Sequence, residues 1–186
     1  MMNSRAVSYK LLLMLLLLGG AVFFGGGVVR AAIGYDLFVP GAPTLIRKPF
    51  LTDAQVNYSI RLYGITAFYT LSGYAAALIG ALGLTVVHRR SLRQNGGMFM
   101  AAMLFYLCAP VEVYAAVCDI HILRAASELP FDELLRDGRL PALFAERTSP
   151  FLSQAGTITT MAYLTAIVFA AWRPLTKQGG AEEVRY

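Results

Sequence analysis

The chain is poor in the residues that metalloproteins and soluble enzymes rely on: two histidines, two cysteines and a single tryptophan in 186 residues. Charged side chains make up only 15% of it, where soluble domains carry roughly 25%. His88, at the inner end of the second apolar run, and His121, at the outer end of the third, fall at opposite membrane faces, so they cannot ligate one haem together. Cys108 and Cys118 lie in one helical run, about 15 Å apart along its axis, too far apart to bridge. No CxxC pair, Walker loop, GxGxxG turn, HExxH or GxSxG occurs. The expectation is therefore a protein without a cofactor or metal, and an enzyme is the less favoured class. The net charge of +5 does not indicate nucleic acid. Its densest basic cluster, Arg89, Arg90 and Arg93, sits between two apolar runs, where it reads as a topology signal.

What the chain does have is long apolar sequence: it is 57% hydrophobic, with a mean hydropathy of +0.57. Leu11–Val29, Leu62–Val87 and Pro150–Trp172 contain no Asp, Glu, Lys or Arg, and Met98–Cys118 contains one, Glu112. About 20 apolar residues at 1.5 Å each cross a hydrocarbon core of about 30 Å. The expected fold is an all-α, four-transmembrane-helix bundle with spans near 11–32, 59–87, 98–122 and 150–172. These form one domain over 1–176, followed by a polar cytoplasmic tail over 177–186. The opening run outlasts a signal-peptide core and reads as an uncleaved signal-anchor.

Orientation rests on Lys and Arg. Each side of the bundle receives eight of them, but the rule weights short loops. The three arginines of the tight 88–97 connection place it, and both termini, in the cytoplasm. The expected location is a plasma (inner) membrane.

The first outer loop, 30–51, is rich in Gly and Pro and reads as irregular. It ends in a capping box, Thr52 with Gln55, beside a Leu51–Val56 hydrophobic staple. The second helix then runs from about Thr52 to Val87 and protrudes from the outer face. In the second outer loop, Pro130, the acids Asp132 and Glu133, and Gly138 outline a short helix. Ser149–Pro150 caps the last span.

In lipid, helices associate through close packing of small side chains. Ser72, Ala76 and Gly80, and beside them Gly73 and Ala77, make two ridges on the second span. The glycines of the first span, including Gly25 and Gly26, are expected to let a neighbouring helix approach.

The third span holds the feature closest to chemistry. Pro110 is expected to kink the helix. Glu112 follows at about 21 Å above Met98, two thirds of the way across. Tyr74, Thr159 and Thr160 fall at the same height, so they and Glu112 can form an intramembrane polar cluster. Cys108, Glu112 and Asp119 share one helix face, a stripe that points towards Arg30 and Arg61. An unpaired charge at this depth costs at least about 2.5–3.5 kcal/mol, so Glu112 should face the interior. A neutral acid bonded to Tyr74 or a threonine is one reading, and a proton or cation site is another.

The layout resembles that of junction tetraspans such as claudins in topology alone; the first loop has neither the paired cysteines nor the tryptophan motif of that family. The leading functional expectation is a non-catalytic accessory or scaffolding subunit of a larger membrane complex. Its partners would be the lipid bilayer and other membrane subunits, with a homo-oligomer as a further form. The alternative is a proton- or ion-coupled small transporter or channel component that uses Glu112.

Overall fold

The computed structural model describes residues 4–39, 46–92, 95–128, 130, 133 and 139–172. Within them the chain forms six helices: α1 Ser4–Leu37, α2 Asp53–Val87, α3 Arg89–Leu92, α4 Gly96–Glu128, α5 Arg139–Arg147 and α6 Pro150–Trp172. Four of these, α1, α2, α4 and α6, are long and apolar enough to cross a membrane. This is an all-helical integral membrane protein. The described residues contain no strand; Phe38 and Arg47 form an isolated bridge.

The helix starts follow local chemistry. Thr52 accepts from the Gln55 backbone amide, and the Gln55 side chain accepts from the Thr52 amide, closing the capping box. At α4 the cap is Asn95, whose side chain accepts from the Met98 amide at 3.2 Å. At α6 it is Ser149, which accepts from the Leu152 amide at 3.4 Å, with Pro150 at the first helical position. Each cap satisfies a donor that the helix itself leaves open. Helix α4 continues through Pro110, which lies on its exposed face.

Helices α1 and α2 are antiparallel and in contact over most of their length. The Tyr9 ring meets His88 edge-on at one end, and Arg30 lies over Tyr63 towards the other. Glycine makes this approach possible. A Cβ on Gly73 would stand 2.6 Å from the Phe23 amide nitrogen, one on Gly80 2.6 Å from that of Leu16, and one on Gly19 2.6 Å from that of Ala77. Backbone touches backbone, which is how membrane helices gain dispersion energy without a hydrophobic drive. Helix α4 packs on α2 and α6, completing the bundle.

One end of the bundle carries a cap. Helix α5 inserts Leu140 and Phe144, both at most 2% exposed, among Leu37, Val56, Ile60, Tyr63 and Ile122. The Phe144 ring lies 4.5 Å from Tyr63 and 5.7 Å from Phe38. A nine-residue helix does not persist alone; burying two large side chains, at about 1.5–3 kcal/mol each, holds this one. The 38–47 bridge, the ion pair of Arg47 with Asp53 at 2.5 Å and a bond from Arg47 to the Leu51 carbonyl tie down the loop between α1 and α2.

Two features of this end differ from the expectation or go beyond it. Helix α1 extends to Leu37, five residues past the expected end, because Arg30 is taken into the bundle and does not mark its edge. Helix α5 was not foreseen, although Leu140, Leu143 and Phe144 have the i, i+3, i+4 spacing that signals it. The short helix expected from Pro130 to Gly138 lies almost wholly outside the described residues, as do Arg93 and the tail over 177–186.

Candidate functional site

The polar core at the cap end is built on Asp119 of α4, which is 4% exposed. Arg30 of α1, 5% exposed, donates to it through both terminal nitrogens, Nη1 to Oδ2 at 2.5 Å and Nη2 to Oδ1 at 2.6 Å. Arg147, the last residue of α5, donates Nε to Oδ1 at 2.9 Å. One carboxylate therefore joins three helices. Thr70 of α2 adds a hydroxyl 3.4 Å from Arg30 Nη1, and the Tyr63 ring lies 4.0 Å from the guanidinium carbon. A buried carboxylate requires such pairing and hydrogen bonding to remain charged, and the forked geometry of arginine supplies it. Burial works to lower the pKa of Arg147, but the Asp119 charge and hydrogen bond, with Tyr63 and Glu112, together outweigh it and the net direction is upward. The cluster holds two positive charges against one negative.

Two turns along the same face of α4 lies Glu112, half-buried. It forms no ion pair or hydrogen bond with the described residues. Arg147 and Asp119 act on it electrostatically from the cap end. On its other side are Cys108, Tyr74 of α2 and Tyr163 of α6. Tyr74 and Tyr163 are 7% and 5% exposed. Their hydroxyls are neighbours, yet neither has a hydrogen-bond partner in good geometry. Phe23 and Phe24 of α1 close the cluster, with ring centroids 6.4 and 6.2 Å from Tyr163, and Phe105 lies 5.2 Å from the same ring. Nearer the other end, the Thr85 and Tyr106 hydroxyls pair at 2.7 Å.

The expected residues are distributed as follows. Tyr74, Cys108 and Glu112 come together, and Thr159 is buried beside Cys108. The Thr159 hydroxyl is already bonded to the Ala155 carbonyl at 2.8 Å. Thr160 does not join them: it is on the exposed face of α6, bonded to the Gly156 carbonyl. Neighbours on a helix are turned 100° apart, so the two threonines could not both point inward. Asp119 belongs to the cap cluster with Arg30, whereas Arg61 is exposed on α2.

In the helix seam Gly73, Ala77 and Gly80 are buried, Ala76 is half-buried and Ser72 is exposed, bonded to the Tyr69 carbonyl. The seam thus follows Thr70, Gly73, Ala77 and Gly80, at alternating three- and four-residue steps, and not a strict four-residue ridge; an antiparallel pair in close contact keeps the coiled-coil period. Gly26 meets the Thr70 methyl, but Gly25 has open space beside it. Arg89 is exposed, and the side chain of Arg90 lies outside the described residues.

Sequence reasoning missed Arg147, Tyr63 and Tyr163. Arg147 lies in a connecting segment and Tyr163 two helices away from Tyr74, so only their approach in space relates them to the site. Among the described residues no group of three His, Cys, Asp or Glu side chains is arranged to hold a metal. Compared with known proteins, the chain matches no family model, no curated protein and no solved structure.

Proposed function

We propose that the protein is a non-catalytic subunit that packs laterally against a larger membrane partner. The observation that carries this reading is the outward face of α1. On the side towards α2, Gly19 and Gly26 admit the neighbouring helix to backbone contact. On the adjacent face the same construction recurs at seven-residue spacing in Gly20, Gly27 and Gly34, each with open space where a Cβ would stand. Val28 and Val29 beside them are 71% and 49% exposed. Glycine is a poor helix former, and small-residue faces in lipid are surfaces of helix contact. The Asp119 cluster supports the same reading, because it uses its charges to fix three helices to one another. Both termini face the cytoplasm of a plasma (inner) membrane in this proposal, on the strength of Arg89, Arg90 and Arg93.

The test is site-specific photo-crosslinking in the native membrane, with the probe at Val28 and a control probe at Ile167, an exposed position on α6. A discrete protein adduct from Val28 and none from Ile167 supports lateral docking through α1. Lipid adducts alone from both positions, with the chain running as a free monomer after gentle extraction, would overturn it. Labelling of an Arg89→Cys variant by an impermeant thiol reagent applied from outside the cell would reverse the orientation.

A further inference from the structure

We infer that Glu112, Tyr74 and Tyr163 form a proton-binding site inside the membrane domain, with the two phenols and the carboxyl joined through a bound water. This goes beyond a packing role and does not depend on any partner.

Two buried phenols carry two O–H donors. If one donates to the other, the pair still retains one O–H without an acceptor. Leaving that group unmade in an apolar interior costs about 1–3 kcal/mol, and buried polar groups in folded proteins are nearly always satisfied. The hydroxyls of Tyr74 and Tyr163 lack a described partner. Both rings pack with Cys108 in one buried cluster, and Glu112 follows Cys108 by one turn on the same face of α4. A water bonded to these three groups would have the number of hydrogen bonds usual for a buried water. Thr159 is not the missing partner, since its hydroxyl is bonded to the Ala155 carbonyl.

Glu112 is half-buried on the face of α4 that leads to Asp119 and, through it, to Arg147. The groups that face it are Tyr74 on α2, Cys108 and Asp119 on α4, Arg147 on α5 and Tyr163 on α6. Helix α1 contributes the apolar rings Phe23 and Phe24, and Arg30 behind Asp119. Arg147, 24% exposed, marks the side from which the medium reaches the site. The step is a simple transfer: a hydronium at the cap end passes a proton through the bound water to a Glu112 oxygen and is itself left as water in the medium, so that the site keeps one water throughout. Release is the reverse.

Infrared difference spectroscopy of the protein in lipid nanodiscs, recorded between acidic and alkaline medium, tests this. We expect a carboxylic C=O band that grows on acidification, moves to lower frequency in D2O and is lost in Glu112→Gln. Tyr74→Phe and Tyr163→Phe should each raise its frequency by removing a hydrogen bond. A water O–H band that shifts in oxygen-18 water should disappear in Tyr163→Phe. Glu112→Asp, which keeps the carboxyl, should retain the band at altered frequency and guards against misfolding of the Gln variant. The proposal is overturned if the band persists in Glu112→Gln, if no band titrates, or if both phenylalanine variants leave band and water signal unchanged. None of these readouts depends on a partner protein, so failure here and failure of lateral docking are distinguishable.

Discussion

Replacing Asp119 by Asn retains the shape of the side chain and removes its charge. Three charge-assisted hydrogen bonds end on the Asp119 carboxylate, and each is worth about 1.5–3 kcal/mol in isolation. The amide keeps one acceptor oxygen and presents its NH2 group to a guanidinium. The two arginines are then left facing each other, one of them 5% exposed. Arg147, which is more open, can swing towards the headgroups and relieve part of the repulsion. The expected loss is therefore near that of one broken buried pair, about 3–5 kcal/mol, and not the sum of three bonds. That corresponds to roughly two to three and a half orders of magnitude in the unfolding equilibrium. Detergent-driven unfolding in mixed micelles measures it. Arg30→Met should cost a similar amount, and the Asp119→Asn/Arg30→Met double variant clearly less than the two added together, because each single change orphans the other's charge. Loss of less than about 1 kcal/mol in Asp119→Asn, or simple additivity, would refute the clamp.

Arg147→Met should be milder, about 1–2 kcal/mol in the same assay, since Arg30 keeps its paired contact with Asp119. The pKa of Arg147 is raised in the folded state, so its stabilising contribution is complete below the unfolded value and lost only above it. The difference between wild type and Arg147→Met should then stay constant from about pH 7 to about pH 9, and a decline over that window would contradict the assignment. Gly73→Val places side-chain atoms against the Phe23 backbone and should cost about 1–3 kcal/mol or more. Gly20→Ala, with open space beside it, should leave the isolated protein's stability unchanged or slightly raised. Thr52→Ala removes the α2 cap and should cost about 1 kcal/mol.

Much of this architecture is legible in the order of residues. Four apolar runs of sufficient length imply four helices, because in hydrocarbon a chain has no other way to satisfy its backbone within one segment. The Thr52–Gln55 and Ser149–Pro150 caps are local chemistry, readable over four residues. The stripe of Cys108, Glu112 and Asp119 follows from helical spacing, and its direction towards Arg30 follows from counting rise. What could not be read is which groups across the bundle meet it. Arg30 and Arg61 are both basic residues expected at the same end, yet one is buried on Asp119 and the other exposed, a choice made by how α1 and α2 rotate to seat their glycines.

Glu112 is marked by composition as the lone acid in an apolar run, whereas Asp119 is related to it in the sequence only by helical spacing. The cap gives Asp119 its weight: α5 folds over it and adds Arg147 to the pair that it makes with Arg30. Sequence alone determined the four helices long and apolar enough to cross a membrane and the local caps, since these depend on apolar length and short-range hydrogen bonding. Tertiary structure alone decided the Arg30–Asp119–Arg147 clamp and the approach of Tyr74 to Tyr163. Both join residues distant in the chain, and helix rotation, which depends on the close packing of every glycine and aromatic ring, selects which of them touch.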